Sequence, residues 1–166
     1  MSTLTQQRVP AVSADVRFGI MDLYAENSAA LDEGRYEDWA SCFTAQAEYR
    51  LTTRENYDRG LPIAIIYCDG RGMIDDRAFT TAQTTISQPR ALRHIVSGMS
   101  VKADGDSYRV GADFLILQTL SDRMTEVVMS GRYIDRVVIE GERFMFASRI
   151  CVTDTLLYPT SVVAPV

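Results

Sequence analysis

The sequence predicts an α+β domain in which N-terminal helices pack on a long, curved, mostly antiparallel sheet. Apolar residues recur every three or four positions in the first third of the 166-residue chain, and every second position beyond Pro89. Asp104-Gly105 and Glu140-Gly141 each supply the turn of a hairpin in the second half. Because the helices precede the long strands as a block, they are expected to cover one face of the sheet.

Three helices are predicted after a polar segment, residues 1–12, which is expected to form a flexible arm. The first helix begins at Ser13, a possible N-cap, and ends at Gly34, a typical stop signal. A second, short helix is expected over residues 36–43 and a third over residues 73–83.

The strands begin with a short one over residues 47–52, which leads into the charged, turn-forming loop TTRENYDRGLP. Residues 63–68 are apolar and suit a strand or the wall of a cavity. The long strands are predicted over residues 91–102, 108–120, 126–138 and 143–154. Gly131 predicts a bulge that bends the sheet, so that sheet and helices enclose a cone with an internal cavity. The final segment TSVVAPV is expected either to fray or to lie on a partner.

Length and composition indicate one domain over residues 13–166, long enough to bury a core of its own. The net charge of -5 argues against a nucleic-acid partner. Cys42, Cys68 and Cys151 are odd in number and far apart, which indicates reduced thiols and neither a disulfide framework nor a zinc site. Without a signal-peptide pattern or an apolar run of membrane-spanning length, the protein is expected in the cytoplasm.

His94 is the only histidine of the chain, and this limits its chemistry. A Rieske cluster takes two histidine and two cysteine ligands, and a mononuclear non-haem iron takes two histidines and a carboxylate. The chain alone is therefore expected to hold no metal centre. It also lacks the usual glycine-rich nucleotide-binding motifs and the nucleophile elbow of hydrolases.

Two interpretations of His94 remain open. It could act as an acid or base inside the cone, with Tyr24, Tyr49 or Asp22 as its partner, which would suit an isomerase or dehydratase of a small apolar molecule. Alternatively, it is a hydrogen-bonded structural residue or part of a subunit contact, on a strand whose two sides both carry apolar residues and so look covered. For the protein as a whole, a further alternative is a module that binds a small apolar ligand in the cone.

Clusters of charge in the predicted third helix and last two strands indicate candidate contact surfaces. The residues are Asp75, Asp76, Arg77, Arg132, Asp135, Arg136, Arg149 and Asp154. Those on the helix form either a contact surface or a solvated face with local ion pairs. Those on the strands could pair across the sheet, on an exposed face or at an arginine-rich interface, and we adopt the interface interpretation.

Several strings in a fixed order carry a resemblance to a known family. They are EYRLTTRENYDRGLP at 48–62, GMIDDR at 72–77, LRHIVSG at 92–98, SGRYIDR at 130–136 and FASRICVTDT at 146–155. Together they resemble the small (beta) subunits of aromatic-ring-hydroxylating dioxygenases, which have the NTF2-like or SnoaL-like fold. The resemblance runs from about Tyr24 to Thr155 and implies an NTF2-like cone.

The resemblance implies a role in assembly. In that family the Rieske 2Fe-2S cluster and the mononuclear Fe(II) belong to the large (alpha) subunit. The small subunit is an assembly partner in a complex of three large and three small chains, which ferredoxin and reductase components supply with electrons. This chain is accordingly expected to hold no cofactor and no catalytic residue. The candidate subunit contacts are Arg77, Arg93, His94, Arg132, Asp135 and Arg149.

Three details of the resemblance concern particular positions. Arg93 and His94 match an R-H pair of the family, which is typical of a structural or subunit-contact element. The loop RENYDRGLP is similar to the small subunits of salicylate 5-hydroxylase and terephthalate dioxygenase, which implies an aromatic carboxylate as the substrate of the whole complex. Gly98 stands where many members have asparagine, so the hydrogen bonds of that asparagine are absent here.

Overall fold

Four helices and six strands make up the part of the chain that the computed structural model describes, residues 12–84, 90–155 and 164–166. In chain order they are α1 Ala14–Asp32, α2 Tyr36–Ser41, β1 Phe43–Thr53, α3 Arg54–Asp58, β2 Ile66–Asp69, α4 Arg71–Thr84, β3 Arg90–Asp104, β4 Ser107–Leu120, β5 Glu126–Glu140 and β6 Arg143–Thr153. The predicted arm, apart from Val12, lies outside the described residues.

The six strands form one sheet in the order β2-β1-β6-β5-β4-β3. Four of the five neighbouring pairs are antiparallel, and β1 with β6 is parallel. Helices α1 and α4 pack against the sheet, α1 mainly on β3 and α4 on β1 and β2. The predicted α+β class, with helices on a mostly antiparallel sheet, is confirmed. The first strand along the chain thus lies inside the sheet, which leaves β2 and β3 as its edges.

Helix α1 confirms the predicted amphipathic helix. The Ser13 hydroxyl accepts a hydrogen bond from the Val16 backbone N–H at 3.3 Å, as an N-cap does. Its buried residues follow a spacing of three or four and are Ile20, Leu23, Tyr24, Asn27, Ala30 and Leu31. Just beyond the helix, Gly34 has a φ of +70°, the left-handed conformation that glycine adopts most easily.

Two predicted segments differ from the structure near β1. The second helix ends at Ser41 and not at residue 43, because Phe43 already pairs with β6 as the first residue of β1. The predicted loop TTRENYDRGLP contains the single-turn helix α3. The hydroxyl of Thr53 accepts from the Asn56 backbone N–H at 3.2 Å, which is an N-cap in the threonine-rich end of β1.

The two hairpin turns are confirmed, whereas the predicted bulge at Gly131 is wrong. Gly105 and Gly141 have φ angles of +62° and +63°. Gly131 keeps a regular register on both sides of β5, and the extra residue that shifts the β4–β5 register is Val128, three positions earlier in β5. The other register shifts lie in the β1–β6, β3–β4 and β5–β6 pairings, away from Gly131. A side-chain Cβ at Gly131 would stand 2.1 Å from the carbonyl oxygen of Val152, so close approach of two strands explains the glycine.

The last described residues pack on the chain's own core. Val166 is buried, its N–H donates to the Tyr49 hydroxyl at 2.8 Å, and the same hydroxyl donates to the Val166 carbonyl at 3.2 Å. The expectation that the final segment frays or lies on a partner is therefore wrong for residues 164–166. Residues 156–163 lie outside the description.

Candidate functional site

His94 lies on the edge strand β3 and is held by the last residue of α1. Its ring Nδ1 is 2.6 Å from Asp32 Oδ1, and its backbone N–H donates to the same carboxylate at 2.9 Å. The exposed guanidinium of Arg93 adds a weaker contact at 3.9 Å. A carboxylate at a helix C-terminus is disfavoured by the helix dipole, so the three groups from β3 stabilise Asp32 there. The arrangement fastens the sheet edge to α1.

The partners expected for a catalytic His94 are engaged elsewhere. The Tyr24 hydroxyl donates to Asp135, the Tyr49 hydroxyl bonds to Val166, and Asp22 is exposed. Burial raises the pKa of Tyr24 and of Tyr49 well above the ordinary value, so both hydroxyls stay protonated and neither serves as a base near neutral pH. The residue that pairs with His94 is Asp32. The only feature of the sequence that could have indicated this partner is its position as an acidic residue near the end of a predicted helix.

A groove of about 430 Å³ runs between α1 and β3 beside this pair. It is lined by Met21, Tyr24, Ala25, Ser28, His94, Val96, Ser97, Gly98 and Met99. The His94 side chain is only 2% exposed, and its Nε2 has no hydrogen-bond partner within the described chain. On the other side of β3, Ile95 is 45% exposed, so the expectation that this strand is covered on both faces is wrong for the single chain.

The centre of the cone is occupied by what we call the Arg149 cluster: Arg149, Asp135, Asn27 and Tyr24. Arg149 donates to Asp135 Oδ2 from Nε and Nη2, at 3.0 and 2.9 Å, and from Nη1 to Asn27 Oδ1 at 2.6 Å. Its guanidinium carbon also lies 3.8, 4.3 and 4.7 Å from the ring centroids of Phe146, Tyr133 and Tyr24. The predicted cavity is filled at this point by an ion pair enclosed by aromatic rings.

Burial dominates the electrostatics of the Arg149 cluster. Asp135 and Arg149 are 3% and 1% exposed, and burial raises the pKa of Asp135 above its usual value although Arg149 opposes the rise. The expectation that Asp135 and Arg149 contact another subunit is incompatible with this burial, because both side chains lie inside the chain. Asn27 was missed, although it occupies an apolar-spaced position of α1, which was the signal for a buried polar partner.

The remaining charged candidates lie at or near the surface. Arg132 donates to Asp58 at 3.3 Å and lies over the Tyr57 ring, while Asp154 pairs with Arg54 and not with a strand arginine. These contacts bring three of the resemblance strings together at one end of the sheet. On α4, Asp75 pairs with Arg71 four residues earlier, which favours local ion pairs for that residue, and Arg77 is half-buried beside the Cys68 thiol.

Within the described residues, the available donor atoms do not fit an iron centre. There is one histidine, and within the described ranges no three or more histidine, cysteine or carboxylate side chains gather as they would around a metal ion. Cys42, Cys68 and Cys151 are each buried and free. Burial raises the pKa of Cys151 to about 12, so this thiol is protonated near neutral pH. None of the helices in the described part has the length and hydropathy needed to span a membrane.

Comparison with known proteins identifies the family to which this chain is similar. The model of the SnoaL-like domain family matches residues 13–150. The anthranilate 1,2-dioxygenase small subunit of Burkholderia cepacia is 28% identical over 82% of this chain and 85% of its own. The beta 2 subunit of the terminal oxygenase component of terephthalate 1,2-dioxygenase, from a Comamonas species, is 28% identical over 85% of this chain and 92% of its own.

A solved structure agrees with the two relatives. The crystal structure of a beta subunit assigned to an aromatic-ring-hydroxylating dioxygenase of Novosphingobium aromaticivorans is 30% identical, covers 92% of this chain and 97% of its own, and superimposes with a TM-score of 0.82. Family model, relatives and structure therefore converge: the chain belongs to the SnoaL-like domain family, and its homologues there are small subunits of aromatic-ring-hydroxylating dioxygenases.

Proposed function

We propose that this chain is the non-catalytic small subunit of an aromatic-ring-hydroxylating oxygenase and supports the assembly and stability of the large subunits. The observation that carries the proposal is similarity to such small subunits over more than four fifths of the chain. The chemistry of the residues supports it. The single histidine is bound to Asp32, and the cone centre is filled by the Arg149 cluster.

The iron groups belong, in this proposal, to the large (alpha) subunit. That subunit would hold the Rieske 2Fe-2S cluster and the mononuclear Fe(II), and ferredoxin or reductase components would deliver electrons to it. Three large and three small chains would form the complex. We place it in the cytoplasm, where the three free, buried cysteines would stay reduced.

An aromatic carboxylate is the substrate class we propose for the whole complex. The two relatives described above are named for anthranilate and terephthalate, and both are aromatic carboxylates. The small subunit would not touch this substrate.

The alternatives to an assembly role have less support. A stand-alone isomerase or dehydratase would use His94 in the open groove, yet the two expected tyrosine partners are hydrogen-bonded elsewhere. A module for a small apolar ligand would need space in the cone centre, where the Arg149 cluster lies. Neither alternative accounts for the similarity to oxygenase small subunits.

Coexpression with a cognate large (alpha) subunit tests the proposal. We expect the two chains to copurify at a defined mass, with iron present in proportion to the large chain and hydroxylation of an aromatic carboxylate by the complex. The large chain alone should be less soluble and less active. Full turnover and normal stability of the large chain alone, or iron in the purified small chain, would contradict the proposal.

A further inference from the structure

His94 lines the groove between α1 and β3, and one of its two ring nitrogens has no partner. Nδ1 lies 2.6 Å from Asp32 Oδ1, whereas Nε2 is buried and makes no hydrogen bond within the described residues. Almost every buried polar atom in a native protein has a hydrogen-bond partner, because an unpaired one costs free energy. Nε2 therefore indicates a site for a partner from outside the chain.

The contacts of Asp32 determine what kind of partner Nε2 can take. The Asp32 carboxylate accepts from the His94 backbone N–H at 2.9 Å, so it is an acceptor for the ring as well. In a neutral imidazole the proton then resides on Nδ1, which leaves a lone pair on Nε2. A second proton on Nε2 would place a charged donor in a buried position without an acceptor. The partner of Nε2 must therefore donate a hydrogen bond.

The charges around the groove favour a neutral donor. None of the described residues that line the groove is an arginine or a lysine. Arg93 contacts Asp32 at 3.9 Å, but its side chain is 73% exposed and does not line the groove. An anion at Nε2 would face a lone pair and the neighbouring Asp32 carboxylate without a balancing cation. The groove therefore disfavours carboxylates and phosphates and favours an uncharged hydroxyl group.

The groove has the length of a single aromatic ring with its substituents. On α1 it extends from Ser28 to Met21, or about 10 Å of helix. On β3 it extends from His94 to Met99, so His94 and Ser28 lie at one end and the two methionines at the other. Its volume of about 430 Å³ lies within the range of ~300–1,000 Å³ that is typical of small-molecule sites. A ligand with one ring fits these dimensions.

The walls of the groove suit an aromatic ring. Between the two ends they are formed mainly by Tyr24, Ala25 and Val96. The Tyr24 hydroxyl is already hydrogen-bonded inside the chain, so this residue offers its ring. Methionine side chains are flexible and make favourable sulfur–aromatic contacts. Met21 and Met99 can therefore pack on a flat ring and can also move aside to admit it.

We propose that this groove binds a small neutral phenol. The phenol hydroxyl donates to His94 Nε2, and the phenol ring packs against Tyr24 and between Met21 and Met99. The ligand thereby supplies a hydrogen bond to a buried atom that the described chain leaves unpaired. The site goes beyond the proposed assembly function and is independent of it, because all the residues that line the groove belong to this chain.

The single histidine makes a direct test possible. In the full chain, histidine labelled with ¹⁵N in the ring gives one pair of nitrogen resonances, and their positions report which nitrogen carries a proton. Without ligand and near neutral pH, we expect a neutral ring with its proton on Nδ1. Addition of phenol should shift the Nε2 resonance in a saturable way, because the lone pair then accepts a hydrogen bond.

Two analogues of phenol identify the interaction. Anisole has a methyl ether in place of the hydroxyl and cannot donate a hydrogen bond, and benzoate places an anion at the same position. Both should bind about tenfold or more weakly than phenol, which is the scale of one hydrogen bond. Equal binding of anisole would show that Nε2 accepts no hydrogen bond, and tighter binding of benzoate would show that the ring is a cationic donor. Either result overturns the proposal.

A matched pair of variants locates the site. Ala25→Leu fills the middle of the groove and should abolish the saturable shift. Ala14→Leu adds the same side chain at an exposed position of α1 outside the groove lining, and it should bind phenol as the wild type does. Circular dichroism should show the wild-type fold in both variants. Unchanged phenol binding by Ala25→Leu, or no saturable shift in the wild-type chain, overturns the proposal.

The small chain alone is sufficient for this test, so its result is distinguishable from that of the assembly experiment. If phenol fails to bind, the phenol site is wrong and the assembly function is unaffected. If the large chain proves fully active alone while phenol binds as expected, the phenol site stands and the assembly function is wrong.

Discussion

Asp32 accepts hydrogen bonds from the backbone N–H of His94 and lies 2.6 Å from the ring Nδ1 of the same residue. The chain's single histidine thereby joins the end of α1 to the sheet edge at β3. Both of these His94 groups are satisfied by one carboxylate in a largely buried place. The contact explains the histidine as part of the scaffold.

Asp32→Ala should lower the free energy of unfolding by about 1–3 kcal/mol, because two polar groups of His94 lose their partner in a buried place. Urea denaturation followed by circular dichroism measures the change. Asp22→Ala, on the exposed side of the same helix, should stay within about 0.5 kcal/mol of the wild type. Equal stability of the two variants would show that the Asp32–His94 contact is dispensable.

Arg149→Met should lower the free energy of unfolding by roughly 3–5 kcal/mol, because it leaves the Asp135 carboxylate buried without its cation. The double variant Arg149→Met with Asp135→Leu removes both charges and should recover much of that loss. Chemical denaturation of both variants gives the comparison. If the double variant were less stable than Arg149→Met, the unpaired Asp135 carboxylate would not be the cause of the loss, and the prediction would be contradicted.

Gly131→Ala should destabilise the protein by about 1–3 kcal/mol, because the added Cβ meets the Val152 carbonyl oxygen at 2.1 Å and the Phe114 ring at 2.8 Å. Gly72→Ala in α4 is the matched control, since nothing lies within 4 Å of its Cβ position. Because Gly72 lies in the first turn of α4 and not in its interior, that change should leave the free energy of unfolding within about 0.5 kcal/mol of the wild type. Thermal unfolding gives the melting temperature of each variant. Equal melting temperatures for Gly131→Ala and Gly72→Ala would contradict the prediction.

Stability should fall with rising pH above about pH 9. In the unfolded chain the Cys151 thiol titrates near 9, whereas burial raises its pKa to about 12 in the folded protein. The folded state therefore binds more protons between these values, and the free energy of unfolding decreases by up to ~1.4 kcal/mol per pH unit for this group. Denaturation measured from about pH 8 to 10 should show that the free energy of unfolding falls less steeply with pH for Cys151→Ala than for the wild type. Identical slopes would show that the Cys151 thiol does not cause the decrease.

Local sequence patterns predicted the ends of α1 and the hairpin turns. The contacts between distant parts of the chain could not be predicted from such patterns. Ser13 and Gly34 bound α1 as their residue types indicate, and the two hairpin glycines lie at the expected turns. No local pattern brings Asp32 next to β3, because 62 residues separate it from His94. The parallel pairing of β1 with β6 is likewise a long-range choice.

The charges of SGRYIDR illustrate a limit of composition. Arg132 and Arg136 lie on the open face, whereas Asp135 between them points into the core and pairs with Arg149. Strand parity separates these residues into two sets, but only the position of the helices determines which set is buried. For this reason the density of charge in the sequence predicted a subunit interface for Asp135, although this residue pairs with Arg149 in the protein interior.

The central claim is that this subunit contributes shape and contacts while another chain contributes reactivity. The most direct measurement is the kcat of the oxygenase reconstituted with a His94→Gln small subunit whose folding and assembly are intact. The account predicts a kcat within about twofold of the wild-type complex at equal content of assembled large subunit. A loss of several orders of magnitude in a fully assembled, iron-loaded complex would show that His94 takes part in the reaction and would contradict the account.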